Sequence, residues 1–373
     1  MARKPVLLTY INGMPDFESL YPVLAVLAAR GKIDVQTIIY SKLLRKEPRL
    51  EATFRQYGHH PVAASKLRMK FLFGEPMRNA DAVLGIADPF WDTTTRKLRS
   101  KHVVRVNKPS IFLQHGAYQR GINARWTAEP MRYYSDLLLF WENLGENRQL
   151  FEDATAERVV PVGFTKQHIL PQKAFSTELT EWMRRFDKRL LVCQSFRWGL
   201  GRFNKNHIDH FYDMIDTLLS RHPDLGIIIR SHRGKVRRNH RSHDQKLRKK
   251  HANILFSYQY QGAMKGFTIH DALDVVDGMI SPVSTTVLDC LYRGKPAAVF
   301  AEETALFSHL PQIASIEDAE AFIATLDRTS DIPDNSILTQ FGKLDANLVS
   351  AAEAIEHFML AELTVATEWR HSE

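Results

Sequence analysis

A chain of 373 residues that is 44% hydrophobic and 25% charged carries enough apolar surface for two cores, at roughly 100–200 residues per domain, and lacks the low hydrophobicity that marks extended disorder. Its formal net charge of +8 at pH 7 points to a polyanionic partner: nucleotide phosphates, anionic lipid headgroups, an acidic glycan or nucleic acid. The two cysteines, Cys193 and Cys290, show no spacing of a structural zinc site with the histidines, which excludes a zinc module and a disulfide scaffold; both are expected as reduced core residues.

The opening apolar run is too short for a signal peptide and gives way to polar Asn12 and Asp16. No stretch reaches the ~20 apolar residues that span a bilayer, so a protein made and kept in the cytoplasm is expected. The first half alternates short apolar runs with amphipathic stretches, the pattern of repeated βα units on a mainly parallel sheet. Strands are predicted at Pro5–Tyr10, Asp34–Tyr40, Ala82–Ile86, Ser110–Gln114, Leu137–Trp141 and Val159–Val162. Between the first two, Leu20, Val23, Leu24, Leu27 and Ala28 recur at helical spacing over Asp16–Arg30, with Gly31 as the C-terminal cap.

From Gly163 to Phe175 this rhythm weakens, and the boundary of a first domain over residues 1–165 is set there. It resumes with strand Leu190–Gln194, helix His207–Arg221, strands Gly226–Arg230 and Ile254–Ser257, helix Ile269–Val275, strand Gly278–Ser281, helix Thr285–Arg293 and strand Ala297–Phe300, giving a second domain over residues 176–340. Within residues 344–373 a terminal helix, Leu344–Trp369, presents Leu348, Ala351, Ile355, Phe358 and Leu363 as an apolar stripe.

Ligands of open α/β sheets sit at the carboxyl ends of strands, and four strand ends here carry unusual residues. After Met279 and Ile280 comes Ser281-Pro282-Val283-Ser284-Thr285-Thr286 and then a helix. Backbone N–H groups at a helix start, with the hydroxyls of Ser284, Thr285 and Thr286, make a cradle suited to phosphate; the structural alternative is that Ser284 only caps the helix. The strand at 110–114 delivers Gln114-His115-Gly116, in which His115 titrates in the range useful for proton transfer or serves as a hydrogen-bonding residue. The strand Gly226–Arg230 delivers Arg230, His232, Arg233 and Lys235 to a loop, able to neutralise a diphosphate or simply to face solvent. The loop after the first strand leads to Asp16 and Glu18 near a helix start, where acids complement the helix dipole or face an acceptor as base and contact.

Taken in order, QHG at 114–116, the run YYSDLLLFWENLGENRQLF followed by VVPVGF, RSHRG at 230–234 and ISPVSTTVLDCLYRGKPAAVF at 280–300 resemble the bacterial GT-B transferases that build capsules, teichoic acids and lipopolysaccharide. The nearest resemblance is to the CDP-glycerol glycerophosphotransferase-like group and its nucleotide-sugar-using relatives, over about residues 5–300. It implies an α/β GT-B fold: two Rossmann-like domains facing a cleft, with the C-terminal helix crossing back to the first. It also implies His115 as catalytic base and Arg230, His232, Ser284 and Thr285 on the donor phosphates; the strand-end reading adds Asp16 as the alternative base and Thr286 to the phosphate cradle. Asp289 is the nearest match to the acid that touches the nucleotide ribose; Glu18 and Arg120 are expected as acceptor contacts on the first domain. Two departures stand out, His232-Arg233 where the relatives have His-Pro and Trp141-Glu142 where they often have Trp-Gly.

The resulting expectation is a glycosyltransferase that moves a sugar from a CMP-, CDP- or UDP-activated donor to a hydroxyl of a cell-surface glycan or glycolipid. No cofactor is expected, and no metal, because no Asp-x-Asp pair stands at a strand end and basic groups can take the cation's role. A CDP-glycerol-type polyol-phosphate transferase and a nucleotide-sugar 2-epimerase are the enzymatic alternatives. Residues 230–251, read as a basic loop, hold ten Lys or Arg and four His against one acidic residue, a density that suits DNA as acceptor, nucleic-acid binding alone, or peripheral association with an anionic membrane. The lack of interleaved aromatics weighs against nucleic-acid binding.

Overall fold

The computed structural model of the chain describes residues 3–71, 75–88, 108–119, 122, 129–194, 203, 205–231, 240–258, 261–300, 306–327 and 335–371. Two units emerge, one of Met1–Pro171 with Leu338–Glu373 and one of Gln172–Ile337. Each is built on an all-parallel sheet.

In the first unit the strands are β1 (Val6–Ile11), β2 (Asp34–Tyr40), β3 (Val62–Ala64), β4 (Ala82–Gly85), β5 (Ser110–Leu113), β6 (Leu137–Phe140) and β7 (Val159–Pro161), in the order β3-β2-β1-β4-β5-β6-β7. Every residue of β1 is buried, as a parallel strand covered on both faces requires. The helix Met14–Arg30 begins two residues earlier than its apolar period suggests, with Pro15 in its first turn, and ends at Gly31 with φ 66°. Its Phe17, Leu20, Val23, Leu24 and Leu27 share one core with Leu348, Ala351, Ala352, Ile355 and Met359 of the terminal helix Leu344–His371, against which Phe358 also packs. The chain thus closes the core of its first unit with its last helix. An ionic clasp adds to this contact, because buried Glu356 accepts hydrogen bonds from Arg30 at 2.9 and 3.0 Å and from Lys32 at 3.0 Å.

The second unit contains β8 (Lys188–Gln194), β9 (Leu225–Ser231), β10 (Ile254–Phe256), β11 (Gly278–Ser281), β12 (Ala297–Phe300) and β13 (Gln312–Ile313), ordered β10-β9-β8-β11-β12-β13. Phe211, Ile215 and Leu218 of the helix Lys205–Arg221 lie in its core. The strand order reverses between β8 and β11 here, and between β1 and β4 in the first unit. Such switch points open a crevice at the carboxyl ends of the strands, the usual ligand position in doubly wound sheets.

Two expectations are corrected. The basic stretch read as a loop contains a helix, Arg241–Lys250, whose inward residues are Leu247 and Asp244. The helix after the Ser/Thr block spans Thr285–Leu291 and stops short of Arg293, because the chain turns at Gly294, φ 67°, in a left-handed conformation that glycine adopts without strain. Among the described residues no helix is long and apolar enough to cross a membrane.

Candidate functional site

The switch point of the second unit gathers the hydroxyls. Ser281, the last residue of β11, is fully buried; its Oγ lies 3.2 Å from Ser284 Oγ and 3.3 Å from Thr286 Oγ1, and the latter two are 2.6 Å apart. Ser284 is extended, φ −162°, and makes no side-chain cap on the helix it precedes. The three hydroxyls are therefore linked to one another rather than spent on the helix end, while Ser284, Thr285 and Thr286 remain half-buried and reachable from solvent. A helix of seven residues supplies little dipole, so recognition of an anion here rests on hydroxyls and on charge.

The charge comes from β9. Arg230 is held by Ser257 Oγ at 2.6 Å and the Phe267 carbonyl at 3.2 Å, which aims a partly exposed guanidinium from the strand end. The Cys193 thiol at the end of β8 is buried, and burial pushes it up to about 11 against the opposing pull of Arg230's charge and of the Thr286 and Ser281 hydroxyls. The register brings Arg230 and the hydroxyl trio to the same switch point, since Cys193 is the partner of Arg230 on β9 and its neighbour Val192 the partner of Ile280, which precedes Ser281 on β11. A fixed cation beside rotatable hydroxyls can bind phosphate oxygens and stabilise charge on a leaving diphosphate.

Behind this front lies a buried polar network that the sequence pattern did not reveal. Asp244 accepts from Tyr212 at 2.6 Å, Gln194 at 2.8 Å and Tyr258 at 3.0 Å, and Tyr212 also meets His240 Nδ1 at 3.1 Å. Burial raises the Asp244 carboxyl, with the three hydrogen bonds acting in the opposite direction. The network ties the helix Arg241–Lys250 to the ends of β8 and β10, and so anchors the far end of the segment that starts at Arg230. Lys295 donates to the Leu273 carbonyl at 2.6 Å and to that of Val276, and Arg293 pairs with Asp274, giving the RGKP turn a structural role in bracing the helix Ile269–Leu273. Asp289 is buried, 3.7 Å from buried His270.

In the first unit, Asp16 Oδ2 accepts the Asn12 N–H at 2.7 Å and shapes the loop after β1. His115 follows β5, two strands away from β1 in the sheet. Its neighbour Gln114, almost fully buried, donates to the Gly116 carbonyl at 2.9 Å and accepts the Trp141 N–H at 2.8 Å. The His-Gly loop is thereby clamped to the end of β6. Glu18 is buried in an ion pair with Lys166 at 3.3 Å, so its carboxylate is already engaged within the unit. Arg120, His232, Arg233 and Lys235 lie outside the described residues.

No protein-family model and no curated protein sequence matches the chain. Solved structures match its fold. A crystal structure of UDP-N-acetylglucosamine 2-epimerase superimposes with a TM-score of 0.59 at 13% identity, covering 96% of this chain and 97% of that one. The S. aureus MnaA–UDP co-structure gives 0.58 at 12%, covering 92% and 94%, and the wall teichoic acid polymerase TagF with CDPG gives 0.53 at 11%, covering 98% and 90%. These likenesses are of fold: two Rossmann-like α/β domains of the GT-B type.

Proposed function

We propose that the chain is an enzyme acting on a nucleotide-linked sugar or polyol, with the donor's phosphates at the carboxyl ends of β9, β8 and β11. The observation that carries this reading is the sheet register, which sets Arg230 of β9 opposite Cys193 of β8 and pairs Ile280, the residue before Ser281, with Val192 of β8, so that Arg230 and the linked hydroxyls of Ser281, Ser284 and Thr286 stand at one strand end. His232, two residues beyond Arg230, and Thr285 add phosphate contacts in this reading. As a glycosyltransferase, the enzyme would form a bond from an acceptor oxygen to the anomeric carbon as the bond from that carbon to the donor phosphate breaks. His115, or Asp16, takes the acceptor proton; the bonding electrons leave with the nucleotide, whose charge is met by Arg230.

A second reading, a nucleotide-sugar 2-epimerase, is favoured by the fold matches to 2-epimerases at TM-scores of 0.58 and 0.59 over 96% of the chain. Polyol-phosphate transfer is the third, with attack at phosphorus. Mass spectrometry and chromatography of reactions with UDP-N-acetylglucosamine and with CDP-glycerol, each with and without a glycan acceptor, separate them. Acceptor-dependent release of UDP marks a glycosyltransferase, acceptor-free conversion of the sugar an epimerase, and release of CMP from CDP-glycerol a phosphotransferase. Absence of turnover and of binding for every nucleotide-linked compound would sink all three.

A further inference from the structure

We propose that the carboxyl edge of β2 and β3 in the first unit is the surface by which this chain docks on an anionic lipid bilayer. Two hexapeptides carry the argument: Ser-Lys-Leu-Leu-Arg-Lys at 41–46 and Ser-Lys-Leu-Arg-Met-Lys at 65–70. They share the pattern S-K-L-x-x-K, and each starts directly after a strand end. Those strand ends, Tyr40 and Ala64, are register partners in the parallel pair of β2 and β3. The two segments therefore set out side by side, one as the helix Ser41–Lys46 and the other as the helix Lys66–Phe71, the latter with its Arg68 N–H bonded to Ser65 Oγ at 3.2 Å.

Equivalent leucines then take opposite fates. Leu43 is 9% exposed and joins the core, whereas Leu67 is 64% exposed, more than any other large hydrophobic residue among those described. A lone exposed leucine needs no explanation. This one is flanked by exposed Lys66 and Arg68, the segment that starts from the paired strand end exposes Lys42, Arg45 and Lys46, and neither hexapeptide contains an acidic residue. An apolar side chain that enters the acyl boundary, ringed by cations that meet headgroup phosphates, is the recognition chemistry of an interfacial element.

The basic helix Arg241–Lys250 offers no such combination. Its Lys250 is paired with Asp216 at 2.7 and 2.8 Å, its Arg248 lies 5.0 Å from the centre of the Phe256 ring, and its exposed positions carry no apolar residue. Charge alone suits a soluble polyanion as well as a membrane.

The test is sedimentation of the full chain with neutral phosphatidylcholine vesicles and with vesicles containing about 30% phosphatidylglycerol. The wild type binds the anionic vesicles and not the neutral ones. Each basic residue near such a surface is worth about fivefold in binding, so Lys66→Glu/Arg68→Glu loses at least about 25-fold. Leu67→Ser loses about tenfold by withdrawing the inserted side chain. The control Lys246→Glu/Lys249→Glu retains wild-type binding, and far-UV circular dichroism with melting verifies that all the variants fold. Failure of the wild type to sediment with anionic vesicles overturns the proposal, as does loss confined to the control. Charge dependence with no effect of Leu67→Ser also overturns it, because the contact is then one of charge alone with no inserted side chain. The readout involves no nucleotide, so its failure leaves the proposed activity untouched.

Discussion

Thr286→Val separates a binding role of the hydroxyl trio from a structural one. Valine keeps the branched shape of threonine and removes only the hydroxyl, which sits 2.6 Å from Ser284 Oγ and 3.3 Å from Ser281 Oγ. Because Thr286 is half-buried and its two partners still have each other, the loss to folding is that of one neutral hydrogen bond, about 0.5–1.5 kcal/mol. If the same hydroxyl donates to a phosphate oxygen, the lost bond is charge-assisted and costs about 1.5–3 kcal/mol of binding, or roughly 10–150-fold in dissociation constant. Urea denaturation reads the first quantity and titration calorimetry with UDP and CDP the second. The expected result is a small change in stability with a loss of affinity of at least about tenfold. Unchanged nucleotide affinity in a folded Thr286→Val protein, repeated in Ser284→Ala, would refute the phosphate assignment.

Gln114→Ala leaves the buried Trp141 N–H without its 2.8 Å acceptor, at about 1–3 kcal/mol, and frees the loop that carries His115; turnover falls more than donor affinity, which calorimetry and steady-state kinetics compare. Asp244 is raised by burial, so the folded protein holds its proton to higher pH than the unfolded chain does. Stability therefore falls as pH rises from the ordinary value of 3.8 through the raised one. Asp244→Asn flattens that slope in urea denaturation series at stepped pH, and parallel curves for the two proteins would contradict it. Glu356 is the opposite case, lowered chiefly by its hydrogen bond with Arg30. Its contribution is present above 4.5 and lost as pH falls through the lowered value. Glu356→Ala costs about 1–3 kcal/mol at neutral pH, discounted because Arg30 and Lys32 stay partly hydrated, and the difference from wild type shrinks in acid.

The fold class was legible because its strands are near-continuous apolar runs: Ser110–Leu113, Leu137–Phe140 and Gly278–Ser281 are buried along their whole length and announce a sheet covered on both faces. The edge strand Val62–Ala64 was not, since it has three residues of which Val62 and Ala63 are exposed, leaving no period to detect. Pattern also failed at Arg241–Lys250, where the inward face is one leucine and an aspartate. A periodicity argument scores that aspartate as solvent-facing, although two tyrosines and a glutamine satisfy it inside the unit. In the candidate site, the Ser/Thr block and Arg230 stand out by composition alone. Their meeting around Cys193 depends on the order β9-β8-β11, and strand order is a non-local property that no window of the sequence contains.

The central claim, that Arg230 and the hydroxyl trio form a phosphate site, is tested most directly by titrating the folded chain with UDP and with uridine, and with CDP and cytidine. Two charge-assisted hydrogen bonds at about 1.5 kcal/mol each predict that one diphosphate binds at least about 100-fold tighter than its nucleoside, and that Arg230→Gln removes most of this difference. Equal affinity for nucleotide and nucleoside, or a difference that survives Arg230→Gln intact, would contradict it.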